Sequence, residues 1–264
     1  MWREEPVCCT EIGRLEDVRA PSLAALSKSQ LRLMSVAGAE VLECERALER
    51  GSLNLVGEML REGGQFVEYE HHPSDDVYDA ETGAQYYYHS HRGGSGEHGH
   101  FHTFMRQPLF AATGAVEKGK SATTHLIAIS MDAYGRPIGL FATNRWVTDE
   151  VVHPADTVLD MMTRFRVDHA YPSWPANRWI SAMLVLFRPH IEALLVHRDY
   201  VLAEWEHAHP GSDVFEDREL EITGYLPISV EDLVRDLREL TDWRIPPETS
   251  GRPRRPALRH SSRQ

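Results

Sequence analysis

The chain reads Gln85-YYYHSHR-GGSG-EHGHFHTFM-Arg106 across its middle, and this stretch decides the fold. Five of the fifteen histidines fall between His89 and His102, spaced by two: His89 and His91, then His98, His100 and His102. A period of two is that of one strand face, because alternate side chains point the same way. The GGSG between the halves is a hairpin signal. With Gly93 to Gly96 as the loop, a symmetric pairing sets Arg92 opposite Glu97 and His91 opposite His98. His89 then faces His100, and Tyr87 faces His102. All five imidazoles project from one side, with Arg92 and Glu97 on the other. Opposed Cβ atoms lie about 4.5–5.5 Å apart, a separation that one metal ion bridges.

The metal reading names His89, His91, His98 and His100 as an inner quartet, with His102 and Tyr87 at its border. His125, near the start of a following strand, is a further candidate ligand. Imidazole suits iron, copper, nickel and zinc, and the lack of clustered thiolates disfavours Fe–S or Cu(I)-storage chemistry. Three or four nitrogen ligands with an open position support Lewis-acid or oxygen chemistry. Iron or copper is expected ahead of zinc, because the Tyr87 phenol beside the ligands can donate a proton or an electron. The competing reading is a hydrogen-bonded or pH-sensitive surface ribbon. Crowding five imidazoles without a metal would depress their pKa values with no gain in stability.

Composition bounds the remaining possibilities. At 264 residues, 42% hydrophobic and 26% charged, the chain can bury a sizeable core. Its net charge of −12 argues against nucleic acid or an anionic membrane as partner. Cys8, Cys9 and Cys44 form no C-x-x-C pair and suit a reducing compartment. The start, MWREEPVCCTEIGRLED, lacks the apolar run of a signal peptide, and no stretch reaches about 18 consecutive apolar residues. A cytoplasmic protein acting on a small molecule is expected. G-x-S-x-G and H-E-x-x-H are both absent.

Outward from the hairpin, the chain reads as one α+β domain over 1–243. A helical lead-in (1–62) precedes an antiparallel sheet of about five strands (63–148), and a helical half (149–243) follows. Residues 244–264, rich in Pro, Ser and Arg, read as a disordered tail. Ser27 with Gln30 predicts a capping box opening a helix to about Glu49, with Leu31, Met34, Val41 and Leu48 inward. QFVEYEHH (65–72) reads as a strand stopped by Pro73, and PSDDVYDAETG as turn chemistry. THLIAISMD and PIGLFATNRWV form a second hairpin. In the helical half, Pro189 must kink or break the run from Arg178 to His207. LEITGYLPI offers one more short strand, and Ser229 caps a last helix.

DVYDAETGAQYYYHSHRGGSGEHGHFHTF, HLIAISMDAYGRPIGLFATNRWV, PSWPANRWI and ITGYLPISVEDLVRDL resemble a family of uncharacterised bacterial proteins classed as a domain of unknown function. The resemblance covers most of residues 65–243 and implies no activity. Gly83, five residues, then His89-x-His91 is similar to the opening of the first cupin motif, which implies a metal held by two histidines and a glutamate. Here five residues precede Glu97, Phe104 stands where the motif closes on glycine, and the pairing turns Glu97 away from the histidines.

Other residues carry two readings each. Asp75, Asp76 and Asp79 could supply a carboxylate to a facial-triad iron site, with turn-capping the stronger expectation. Arg92, Arg106 and Arg145 could clamp an anionic substrate, although solvated arginines are usual at hairpin ends. His71 and His72 could cover the site, with an exposed turn the stronger expectation. The functions to be separated are a mononuclear metalloenzyme, a metal carrier, buffer or sensor, and a haem protein using the histidines as axial groups.

Overall fold

A computed structural model describes residues 18–61, 67–91, 96–106 and 123–241. Among the described residues, six strands form one antiparallel sheet in sequence order: β1 (His72–Tyr78), β2 (Ala84–His89), β3 (Gly99–Arg106), β4 (Thr123–Met131), β5 (Pro137–Thr143) and β6 (Ile222–Pro227). The helices are α1 (Lys28–Glu49), α2 (Leu55–Leu60), α3 (Arg145–Thr148), α4 (Ala155–Met162), α5 (Trp174–Leu186), α6 (Arg188–Ala208) and α7 (Val230–Thr241). They flank the sheet at both ends of the chain. The α+β class and the antiparallel sheet agree with the sequence reading, with a sixth strand supplied by ITGYLP. The expected C-terminal tail and the Arg92 end of the hairpin lie outside the described residues.

The first strand differs from expectation. The described part of QFVEYEHH, up to His71, is not strand, and β1 instead begins at His72 and runs through Pro73. Two features admit this polar, proline-containing segment. Among the described residues β1 is an edge strand paired only with β2, so a proline there forfeits no obligatory ladder bond. Its register shifts between His72 and Val77, and this irregularity absorbs Asp75 and Asp76, the latter at φ +55°. Asp79 then closes the turn into β2 by accepting the backbone N–H groups of Glu81 and Thr82, both at 3.0 Å.

One face of the sheet packs on the helices. Tyr86, Tyr88, Phe101, Met105, Ile127 and Ile129 share a continuous core with Met34, Val41, Trp179 and Leu186. The predicted cap of α1 is present: the Gln30 N–H donates to Ser27 Oγ, and the Ser27 N–H donates to Gln30 Oε1. A Cβ on Gly38 would come within 2.7 Å of Val234 and 3.4 Å of Leu186, so glycine lets α1 approach α5 and α7 closely. The Trp179 indole N–H reaches Glu45 on α1, and the Tyr86 hydroxyl donates to the buried amide oxygen of Asn177. Asn177 in turn donates to the carbonyls of His169 and Tyr171, which gives the PSWPAN motif a structural task. Pro189 breaks the long helical run as expected, and α5 meets α6 at 69°. Among the described residues no single helix is long and apolar enough to cross a membrane.

Candidate metal centre

The other face carries Tyr87, His89, His100, His102, Phe104 and Phe141. The hairpin register is the expected one over its strands, with His89 opposite His100 and Tyr87 opposite His102. Alternation therefore turns three imidazoles to the same side. His100 and His102 are fully buried, and His89 is the most accessible of the three. Their ring centroids lie 4.6, 4.8 and 5.0 Å apart, with planes crossing at 73–89°. One ring nitrogen from each falls within 4.8 Å of the others, and the Nε2 atoms of His89 and His100 are 2.7 Å apart. Nitrogens bound to one ion at about 2.0–2.1 Å sit roughly 3 Å apart, so small ring shifts bring this set to ligand distance. The donor set fits a transition metal.

The residues around these rings hold them in place. Glu97 Oε1 lies 2.6 Å from His100 Nδ1, and the Ser130 hydroxyl donates to Glu97 Oε2 at 2.5 Å. His102 Nδ1 lies 2.9 Å from His125 Nε2, and His125 Nδ1 is 3.4 Å from the Thr143 hydroxyl. The His125 backbone N–H donates to Glu150 Oε2 at 2.5 Å. Burial pulls the His125 imidazole down to about 3, with the charge of Arg198 adding to the effect. Burial pushes the Glu150 carboxyl up to about 8, against the backbone N–H of His125 and the charge of Arg198. The Tyr87 phenol is also pushed up, first by burial and then by Asp76 and Glu150, so it stays protonated.

Three sequence expectations are corrected here. His98 leaves the cluster: its Nδ1 lies 2.7 Å from the hydroxyl of Tyr88, a residue of the opposite face. Glu97 joins the cluster through His100 instead of turning away. Both errors have one cause, since β3 begins at Gly99 and strict alternation does not extend to Glu97 and His98. Gly99 is the hinge of that change: a Cβ there would stand 2.5 Å from the His89 carbonyl oxygen and from the Tyr88 hydroxyl. The third correction concerns His71, whose ring stacks on Tyr87 at 3.6 Å and meets the edge of His89 at 5.8 Å. It lies over the site through Tyr87, with its outer edge still exposed.

The remaining candidates sort by position. His91 lies just past β2, 4.9 Å from His89 and 5.1 Å from His100 by ring centroid, with Tyr69 stacked on it. Asp76 is no ligand: it binds His71 Nδ1 at 2.8 Å and accepts from Gln85 at 2.6 Å. Asp79 caps its turn, as expected. The proposed arginine clamp does not converge. Arg106 donates to Gln85 and lies over the Tyr78 ring, while Arg145 pairs with Asp213 and Glu216. Arg92 lies outside the described residues. Glu150 and Ser130 were missed. An acid in the turn after a short helix and a serine within an apolar strand leave no local signal, and long-range pairing alone brings them in.

The sheet and this face define the class: an α+β protein with a tri-histidine cluster on an antiparallel sheet. The sheet is a single open meander, so the cupin likeness stops at the spacing of His89 and His91. The chain belongs to a family described as a domain of unknown function (DUF6969), whose model matches residues 35–228. No curated protein and no solved structure matches the chain.

Proposed function

We propose that this protein binds one transition-metal ion through His89, His100 and His102 and uses it as a metalloenzyme on a small-molecule substrate in the cytoplasm. The observation that carries the reading is the convergence of three imidazoles, two fully buried, on one point of a rigid sheet. Three neutral nitrogen donors suit iron, copper or zinc and leave a coordination position for water or substrate. Tyr87 lies 5.2 Å from His89 and 5.3 Å from His102 by ring centroid. A protonated phenol at that distance can supply a proton or one electron, which favours oxidoreductase chemistry with iron or copper over hydrolysis with zinc.

A metal carrier or buffer is the second reading. His91 and His71 favour it, because their rings lie within 6 Å of a ligand ring and could act as stepping sites. A haem site is disfavoured, since rings packed 4.6–5.0 Å apart leave no slot for a porphyrin between them.

Elemental analysis of protein expressed with mixed trace metals, beside His89→Ala, His100→Ala and His102→Ala, tests the proposal. One tightly held ion per chain that each substitution removes is the expected result. Several loosely held ions would favour the carrier, and no metal above the variants would end the metal reading.

A further inference from the structure

We infer that Glu97 and His125 are positioning residues that fix His100 and His102 as Nδ1–H tautomers, so that both offer Nε2 to the metal. The inference rests on the metal reading above. A neutral imidazole carries one proton, and the partner of one nitrogen decides which nitrogen holds it. The Glu97 carboxylate, 2.6 Å from His100 Nδ1, only accepts, so the His100 proton belongs on Nδ1. Ser130 donates to the other Glu97 oxygen and holds the carboxylate in place. On the second ring, the His125 Nε2 contact at 2.9 Å faces His102 Nδ1, and the Thr143 hydroxyl lies at His125 Nδ1. With the Thr143 hydroxyl accepting from His125 Nδ1–H, His125 accepts at Nε2 and holds the His102 proton on Nδ1.

The third ligand follows by proton arithmetic. His89 Nε2 and His100 Nε2 are 2.7 Å apart, a contact that needs one proton between them. The His100 proton is on Nδ1, so His89 must donate from Nε2 in the metal-free protein. For an ion to bind, the His89 proton moves to Nδ1, and three neutral imidazoles release no net proton. The two partners also differ in kind: a carboxylate behind His100 raises the basicity of that ligand, while a buried imidazole behind His102 adds no charge.

Two-bond 1H–15N correlation spectra of histidine-labelled protein read the tautomers directly, first without metal and then with zinc. His100 and His102 should show Nδ1–H in both states, and His89 should switch from Nε2–H to Nδ1–H when zinc binds. Glu97→Leu and His125→Phe keep size but remove the acceptor. Each should loosen the tautomer of its own histidine and weaken zinc binding by about 10–100-fold. His125→Gln restores an acceptor oxygen and should recover most of the affinity.

Nε2–H at His100 or His102 in the wild type would overturn the inference, whether or not the variants fold. Folded Glu97→Leu and His125→Phe with unchanged zinc affinity would overturn it as well. Nδ1–H at both rings in a wild type that binds no zinc would remove the metal reading and leave the tautomer assignment standing.

Discussion

The two faces of the β2–β3 hairpin are built from alternate residues of the same strands, yet they do opposite things. Tyr86, Tyr88 and Phe101 point to the helices and are at most 1% exposed. Tyr87, His89, His100 and His102 point the other way and gather nitrogen atoms where a core would gather methyl groups. The first face has mostly hydrocarbon neighbours, with the Tyr86 hydroxyl matched by Asn177 and the Tyr88 hydroxyl by His98. The second has two sets of polar contacts, Glu97 and Ser130 behind His100 and His125 and Glu150 behind His102. A period of two lets one ribbon carry a stabilising surface and a reactive one, provided the first is packed well enough to hold the second still.

Substitutions on opposite faces should separate these roles. Phe101→Ala, which opens a cavity against Trp179, Tyr86 and Tyr88, should cost about 3–5 kcal/mol of stability. Urea denaturation measures it, and a loss below about 1 kcal/mol would erase the distinction between the faces. On the other face, a bound metal at about 100 times its Kd should stabilise the wild type by about 2.7 kcal/mol. The same addition should leave the melting temperature of His100→Ala unchanged, and a matching rise in that variant would place the ion elsewhere.

The helical layer offers a titration far from the histidines. Burial pushes the Glu45 carboxyl up to about 7 from 4.5, partly opposed by the Trp179 indole N–H. As pH rises the unfolded chain releases this proton first, so the contribution is full below pH 4.5 and is lost by about pH 7. Glu45→Gln keeps an acceptor for Trp179 and should flatten the stability profile over that window. The gain at pH 8 should be about 2 kcal/mol, discounted for partial exposure. Denaturation midpoints at several pH values check it, and an unchanged slope would exonerate Glu45. The smallest effect belongs to Ser27→Ala, which removes the cap of α1 and should cost about 1 kcal/mol. Zinc affinity should not move with it.

Some of the molecule was legible in the chain because the forces are local. The Ser27–Gln30 capping box, the break at Pro189 and the inward track Leu31, Met34, Val41 and Leu48 each depend on neighbours within a turn or two. The pairing of His89 with His100 and of Tyr87 with His102 was equally readable, since a hairpin ties register to loop length. Illegible parts depend on exceptions to those rules. β1 looked like a turn because an edge position and a bulge tolerate Pro73, Asp75 and Asp76. Alternation puts Glu97 and His98 on the wrong sides because the pleat starts two residues later than the loop length implies, at Gly99.

For the histidine face, the sequence by itself determined that His89, His100 and His102 share a side, because side-chain alternation along a strand is a property of the backbone. Only the tertiary structure decided which of those rings converge and what stands behind them. His98 went to Tyr88, His71 came in over Tyr87, and Glu150 arrived behind His125 from the segment after β5. Those contacts join residues up to 25 positions apart, and they follow from how strands and loops pack, which no local pattern encodes.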